Sequence, residues 1–466
     1  MQNDKKNFTE GPLFTRMMLF ALPIILTGFL QIAYNMADNI VVGKFSGDPL
    51  ALAAVGSTGT LSTLIVNLLM GIGGGGAIVV AQCFGAGDSR RVSDCVHTAL
   101  TFSLVGGIAF AIFGLLITRP ALELIGTKPE VLDSAELYLK IICLGIPGNA
   151  IYNFGSAILR GTGNSRAPLV ILGLSGLGNV ILNVFFVVVM NMTVDGVAIA
   201  TITAQYISAI AVVSVLLLKK NESYALKFSK LCIKYDMLKR MLHMGLPPGV
   251  QGIVFSIANI AVTISLNTFP TAAVSANTIS GNIDAITWTV INSFGLALMT
   301  FVGQNCGAKN PERVKRSVVY CLIQTVVFTV IVAAIELIFA DGIIGLYLDH
   351  TNPEKDAIIS YTKNIITIML CTYPIFALPN TICAGLNGLG YSFTSMVINM
   401  ICVCGVRLLW ILFVLPLRHT VTVMILGYPV SWVCGAVVAV ICFIRAYLGF
   451  KRQMDTEKEN AEALKS

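Results

Sequence analysis

Charge is what this sequence lacks most. Asp, Glu, Lys and Arg make up only 12% of its 466 residues against 56% hydrophobic ones. With a mean hydropathy of +0.81, too little polar surface remains to cover a soluble globule of 49.8 kDa, which excludes a soluble fold built on one large core. Catalytic signatures are missing as well: there is no H-E-x-x-H, no G-x-x-x-x-G-K-[ST] loop and no plausible nucleophile and base pair. Their absence speaks against an intramembrane enzyme and against a pump driven by ATP. The histidines, His97, His243, His350 and His419, show no metal-ligand spacing and read as loop, interface or packing residues. Nor do the twelve cysteines form a paired C-x-x-C zinc framework or an extracellular cluster; Cys402 and Cys404 alone indicate little, and the set reads as small buried hydrophobes.

What the sequence does have is hydrophobic runs of about 20 residues, the length that spans a bilayer. Twelve are expected, near 16–40, 51–80, 93–118, 133–157, 166–190, 195–218, 237–265, 272–302, 315–339, 357–383, 394–416 and 421–447. They repeat. Gln82, Gly85, Ala86, Arg91 and Val92 recur as Gln304, Gly307, Ala308, Arg313 and Val314. Arg16, Leu22, Pro23 and Gly28 recur as Arg240, Leu246, Pro247 and Gly252, and Pro147, Gly161, Gly163 and Ser165 as Pro374, Gly388, Gly390 and Ser392. One nearly constant offset over three blocks means a duplicated half, and in a membrane chain this points to a two-lobed transporter with its substrate path between the lobes. The expected fold is an all-α integral membrane protein with twelve transmembrane helices in two pseudo-symmetric six-helix lobes. Residues 1–218 form the N-terminal lobe, 219–240 a basic connector, 241–450 the C-terminal lobe and 451–466 a cytoplasmic tail.

Lys219, Lys220, Lys227, Lys230, Lys234, Lys239 and Arg240 lead the cationic side, while Glu123, Glu130, Asp133, Asp341, Asp349 and Glu354 lie in the opposite loops. Both termini are therefore expected in the cytoplasm, the connector along the cytoplasmic face, where an amphipathic helix is plausible, and the net charge of +7 needs no nucleic-acid partner. Residues 1–15 precede a span too long for a signal h-region and carry no clear cleavage site, so no processing is expected. Pro23, Pro147, Pro247, Pro248 and Pro374 fall inside or beside spans, where the missing N–H bends a helix; Pro23 is the candidate hinge. The run from Gly73 to Gly76 suits close helix approach or local unwinding.

Ionisable groups at membrane depth cost at least about 2.5–3.5 kcal/mol, and few are present. Asp38 on span 1, Asn179 and Asn183 on span 5, and Thr201 on span 6 all fall in the outer halves of their helices, and the two asparagines share one helix face. A carboxylate among amide and hydroxyl oxygens suits a hard cation or a proton; the alternative is an interfacial Asp38 reaching water. Asp284 on span 8 and Arg407 on span 11 lie at similar depth, as a structural ion pair or with Asp284 as a substrate or proton site. Glu336 is expected near an outer helix end, meeting headgroups. Tyr34, Phe154, Tyr206 and Trp288 are cavity candidates by residue type alone.

The stretches Tyr34 to Gly43, Ala51 to Gly56, Ala81 to Asp88, Arg160 to Ser165, Gly196 to Thr201 and Gly303 to Ala308 resemble the multidrug and toxic compound extrusion (MATE) family, in order and in duplicate, from about Phe14 to Arg445. Closest is the bacterial branch with its acids in the N-terminal lobe. The resemblance implies a monomeric antiporter in the bacterial inner membrane, without cofactor, that exports amphipathic, often cationic compounds in exchange for H+ or Na+ by alternating access. It places the cation site on Asp38, Asn179, Asn183 and Thr201, with no metal beyond sodium at Asp38. One departure stands out: the family pattern has Asp where this sequence has Asn183, which leaves Asp38 as the sole carboxylate there. A lipid-linked precursor flippase of related fold is the alternative. It would need several cations for a pyrophosphate, and only Arg407 and Arg160 lie in or near spans.

Overall fold

The computed structural model describes residues 7–45, 51–348 and 353–463, so that Asp349 and His350 lie outside the described residues. Among those residues every regular element is helical, and 12 helices or helix runs are long and apolar enough to cross a membrane, one at each expected span. The first half holds α1 (Leu13–Phe45), α2 (Ala51–Gly85), α3 (Ser89–Leu124), α4 (Pro129–Gly161), α5 (Arg166–Val184) and α6 (Val194–Leu218). A π-helical turn, Phe185–Val189, carries α5 to its end. The second half holds α7 (Tyr235–Leu266), α8 (Thr271–Gly307), α9 (Pro311–Ile338), a short α10 (Ala340–Tyr347) and α11 (Lys355–Leu389). Its eleventh span, Ser392–Leu417, is broken into α12 (Ser392–Ile398) and α13 (Val406–Leu409) by π turns, before α14 (Val421–Ala463) closes the chain.

The duplication reaches down to the helix caps. Asp88 accepts the Arg91 N–H at 3.0 Å to start α3, and Asn310 accepts the Arg313 N–H at 3.1 Å to start α9. The residue before each cap is left-handed: Gly87 has φ of 72° and Lys309 has φ of 55°. Glycine takes that conformation freely, whereas the lysine carries the strain of a Cβ. Further on, Gly163 and Gly390, at φ of 86° and 97°, end α4 and α11 alike.

Contacts divide the chain into two units. One is built on Leu22–Gly252; the other on Phe8–Ala21 and the chain from Ile253 onward. The divide passes through α1 between Ala21 and Leu22, beside Pro23, and through α7 just after Pro247 and Pro248. Proline removes a helical N–H, and the Thr27 hydroxyl donates back to the Pro23 carbonyl at 2.6 Å, a bond that bends helices, so α1 is weakest in one turn at that divide.

Inside the first unit, the glycine run of α2 serves close approach, and the helix stays wound through it. A Cβ at Gly75 would sit 2.4 Å from the Gly245 nitrogen and the Met241 carbonyl oxygen of α7, and one at Gly71 would sit 2.3 Å from the Gly249 nitrogen. The connector does not form an amphipathic helix. Before α7 begins at Tyr235 it holds only the three-residue 3-10 turn Phe228–Lys230, because its backbone is taken up elsewhere. The Lys227 N–H donates to His97 Nε2 at 3.0 Å and the Lys234 N–H to Thr98 Oγ1 at 3.1 Å, while Tyr224 is fully buried. In the second unit the segment before α1 is pinned in the same manner: Gln304 accepts the Phe8 N–H at 2.9 Å, Arg313 donates to the Phe8 carbonyl at 3.0 Å, and the Phe8 ring stacks on Phe301 at 4.0 Å. Among the twelve cysteines, all free thiols, only Cys232 and Cys371 are exposed.

The glycine contacts predict a sharp contrast between neighbours. Gly75→Ala drives a methyl group into backbone and destabilises the protein by about 1–3 kcal/mol, whereas Gly74→Ala, with nothing within 4 Å, is tolerated. Thermal unfolding of the two variants in detergent, followed with a thiol-reactive dye, separates them; equal midpoints would contradict the packing.

Candidate functional site

Helix α5 builds the site by turning its two faces to different solvents. Leu174, Leu177 and Ile181 are exposed, as lipid-facing residues are, while Ser175, Gly176, Asn179 and Asn183 recur three or four residues apart on the inner face. Each inner residue meets a neighbouring helix. The Ser208 hydroxyl of α6 donates to Ser175 at 2.7 Å. Gly176 lies against the Tyr34 ring of α1, whose hydroxyl donates to the Gly173 carbonyl at 3.0 Å, and a Cβ at Gly176 would stand 1.9 Å from that ring.

That contact sets the register one turn further along. Asp38 follows Tyr34 by four residues on α1, and Asn183 follows Gly176 on α5, so the two side chains meet: Asn183 Nδ2 donates to Asp38 Oδ1 and is 3.4 Å from Asn179 Oδ1. Asn183 is fully buried, Asn179 nearly so, and Asp38 half-buried. With its amide nitrogen spent on Asp38, Asn183 is left with a buried Oδ1 that has no hydrogen-bond partner. Thr201 stands two turns from Ser208 on α6, as Asn183 stands two turns from Ser175 on the oppositely running α5, so the Ser175–Ser208 bond levels Thr201 with Asn183. Its hydroxyl donates to the Val197 carbonyl at 2.9 Å, which leaves oxygen lone pairs unused. The arrangement therefore offers a carboxylate together with buried amide oxygens and a hydroxyl oxygen. Tyr138 of α4, which no sequence pattern singled out, lies close enough to Asp38 to feel its charge.

Beside this site a small cavity of about 30 Å³ lies between α2, α4 and α6. Val66, Leu69, Leu139 and Ile146 give it apolar walls; Asn149 and Gln205 add amides, and Gln205 Oε1 is buried without a partner. Leu69, Leu139 and Ile146 belong to the same buried cluster as Val41 and Val42 of α1, so the cavity wall and the helix carrying Asp38 share one core. The aromatic candidates fall elsewhere. Phe154 is 1% exposed, packed on Gly73 and near Phe102, and the Tyr206 hydroxyl donates to the Leu144 carbonyl at 2.7 Å. Trp288, half exposed on α8, belongs to the other unit.

In that second unit Asp284 and Arg407 do not meet as an ion pair. Tyr373 of α11 hydrogen-bonds Asp284, and the Arg407 guanidinium lies 3.9 Å above the Tyr428 ring of α14. Glu336 corrects the sequence reading outright: it is 3% exposed and takes the Thr287 hydroxyl at 2.7 Å instead of reaching headgroups. The reason is α10, which folds over the end of α9 and buries Ala340 and Ile344 in the same cluster as Ala333. Among the described residues no three His, Cys, Asp or Glu side chains gather as metal ligands.

A family model, MatE, matches the chain twice, over residues 23–186 and 247–411, which is the duplication seen in the caps. Similar proteins include the probable multidrug resistance protein YoeA of Bacillus subtilis, 27% identical over 92% of both chains. Another is the probable multidrug resistance protein NorM of Thermotoga maritima, 26% identical over 83% of this chain and 82% of its own. Among solved structures, a MATE protein in the bent conformation superposes with a TM-score of 0.88 at 19% identity, covering 98% of this chain and all of its own. An outward-facing MATE family transporter of the MOP superfamily does so with 0.84 at 20% identity over 96% of this chain and 97% of its own.

The Tyr34 contact predicts that Gly176→Ala separates α1 from α5 and with them Asp38 from Asn183. A disulfide between Asp38→Cys and Asn183→Cys should form readily in the parent and severalfold less in the Gly176→Ala background. Equal crosslinking would show that Gly176 does not set the register.

Proposed function

The chain belongs to the MatE family, and from that premise we propose that it is a secondary antiporter exporting amphipathic, often cationic compounds in exchange for protons or sodium. Members of this family are transporters, not enzymes, and need no cofactor. The observation that carries the reading is the contact of Asp38 with Asn183 beside an amide-bearing apolar cavity within the same unit. The cavity is small in this state and would have to widen to take a drug-like molecule; its polar groups are neutral, which accommodates a ligand's cationic end without demanding an anionic one.

The coupling runs through Asp38. Empty of its ion, the carboxylate is held chiefly by the Asn183 amide; a hydrogen bond to a charged group contributes about 1.5–3 kcal/mol. A proton arriving on Asp38 removes the charge that the amide answers, and a sodium ion would draw in Asn183 Oδ1, Asn179 and Thr201. Either event changes how α1 lies on α5, and α1 yields at Pro23 and Thr27. Because Val41 and Val42 share a core with the cavity wall, the shift reshapes the cavity and expels its occupant. An ion and a drug that favour different arrangements exchange through such a change, since each moves the equilibrium only by its differential affinity. Rocking of residues 1–218 against 241–450, with both termini in the cytoplasm of a bacterial inner membrane, completes alternating access. The flippase alternative draws no support from Arg407, which lies buried over Tyr428.

Efflux of ethidium or a fluoroquinolone from cells lacking their own pumps tests the reading, with sodium withdrawn in one arm and a protonophore added in another. Asp38→Asn should slow efflux by about ten- to a hundredfold, the factor that 1.5–3 kcal/mol of lost coupling carries. Asn183→Asp restores a second carboxylate and should raise the dependence on sodium. Efflux by Asp38→Asn equal to that of the parent would sink the proposal.

A further inference from the structure

The connector between α6 and α7 has no task in the mechanism above, yet it is charged, exposed and held in place. Residues 219–236 carry five lysines against two acids. The segment has an inner and an outer side. Tyr224, Ala225 and Leu226 are buried, and the Leu226 N–H donates to the Leu216 carbonyl of α6 at 3.1 Å. From Lys227 to Asp236 every residue is exposed, Phe228 by 64% and Tyr235 by 73%, with Leu231 and Ile233 between them. What ties this run down is mostly backbone: the Lys227 N–H donates to His97 Nε2 and the Lys234 N–H to Thr98 Oγ1. His97 is itself fixed, its Nδ1 lying 2.7 Å from the Ser93 carbonyl, and Lys234 Nζ adds an ion pair with Asp94 at 2.9 Å. Lys219, Lys220, Lys227 and Lys230 are in no ion pair among the described residues.

These tethers set the depth of the connector. Asp94, His97 and Thr98 lie on α3 where its apolar run begins, near residue 93. The segment bonded to them is therefore level with the end of a span, where hydrocarbon gives way to headgroups. A surface for a soluble acidic partner would stand clear of the bilayer and present lysines alone. Here Phe228, Leu231, Ile233 and Tyr235 are interleaved with Lys227, Lys230 and Lys234 in one exposed run. Apolar side chains at that level gain by entering the boundary of the acyl region, and a lysine ammonium on its flexible stem gains by meeting phosphate.

We propose that the stretch from Lys227 to Tyr235 is a docking surface for anionic phospholipid headgroups. Phe228, Leu231, Ile233 and Tyr235 enter the headgroup layer, and Lys219, Lys220, Lys227 and Lys230 meet its phosphates. Because the tethers go to α3 and the stretch runs straight into α7, bound lipid holds the starts of both helices at the membrane surface. The inference does not rest on the antiporter reading.

Cys232 lies within the stretch and is exposed, as is Cys371 of α11, so a Cys371→Ser background lets an environment-sensitive fluorophore be placed on Cys232 of the full-length protein. In vesicles of phosphatidylcholine the label should be open to quenching by acrylamide, a neutral quencher; with phosphatidylglycerol added, its emission should shift to the blue and quenching should fall severalfold. Each lysine near an anionic surface strengthens binding about fivefold, so Lys227→Gln with Lys230→Gln should need a severalfold higher phosphatidylglycerol content for the same protection. The tether at Lys227 is a backbone bond, which these substitutions keep. Raising salt from about 0.05 M to about 0.5 M shortens the Debye length about threefold and should reopen the parent protein to quenching, a readout that needs no lysine variant. Equal quenching in the two kinds of vesicle, protection unchanged in the double variant, or protection indifferent to salt overturns the docking surface. Equal protection in phosphatidylcholine vesicles on adding inorganic phosphate or polyglutamate also overturns it, in favour of a phosphate site or an acidic protein partner respectively.

Discussion

A carboxylate inside a membrane span must be answered by something, and most of the polar architecture of this chain follows from that demand. Lipid offers no hydrogen bonds, so the cost of the charge falls on whatever side chains the neighbouring helices present. In the first unit the answer to Asp38 is an amide, Asn183, aimed by the contact of Tyr34, one turn from Asp38, with Gly176, two turns from Asn183. In the second it is a hydroxyl for each acid, Thr287 for Glu336 and Tyr373 for Asp284. Among the described residues none of these three acids is in an ion pair, and that matters. A guanidinium beside the carboxylate would hold it ionised through the whole cycle, whereas an amide or hydroxyl leaves its occupancy free to change.

The small residues serve the same end. Helices of a membrane bundle gain little from hydrophobic burial, because lipid is as apolar as leucine, and packing alone must hold them. Gly71 and Gly75 on α2 meet Gly249 and Gly245 on α7 at backbone distance, and Gly176 on α5 admits the Tyr34 ring. These contacts have no slack, so motion has to go where the helices are weak. In α1 that place is Pro23, where the proline and the Thr27 hydroxyl loosen one turn at the divide between units. In the proposed cycle, rigid seams with one soft turn would let α1 move as a lever, with Asp38 on the arm beyond Pro23.

Which parts of this were legible in the sequence follows from the range of the forces involved. The twelve spans and the duplication are written in local hydropathy and in a fixed offset, and the structure has them where expected. Asp38, Asn179 and Asn183 could be gathered because helix periodicity and depth are both readable from spacing, and Asp38 does meet Asn183. Glu336 was misread because its burial depends on α10, a short helix whose folding over α9 is a tertiary fact with no signature in the span itself. Asp284 and Arg407 fall at similar depth by span position, which suggested a pair. Depth is one coordinate only, however, and the ring of Tyr428 takes the guanidinium instead. Tyr138 carries no local signal at all, since its place near Asp38 comes from α4 packing in a core that four other helices share.

The duplication sharpens this further, for what the two halves share and what they do not have different physical origins. The caps and left-handed turns correspond residue for residue, because backbone geometry at a helix end accepts few solutions. The acids do not correspond. The offset that relates Pro23 to Pro247 carries Asp38 onto Val262, and the offset that relates Gly85 to Gly307 carries Glu336 back onto Gly114 and Asp284 back onto Ser62. Two halves alike in backbone are therefore unlike in charge, and exchanging their roles would not return the molecule to an equivalent state. The rocking proposed above, nearly symmetric for the helices, would be asymmetric for any ion bound to them. On the proposed antiporter reading, that inequivalence is what an ion gradient would act on, since a ligand shifts an equilibrium only by its differential affinity for the states.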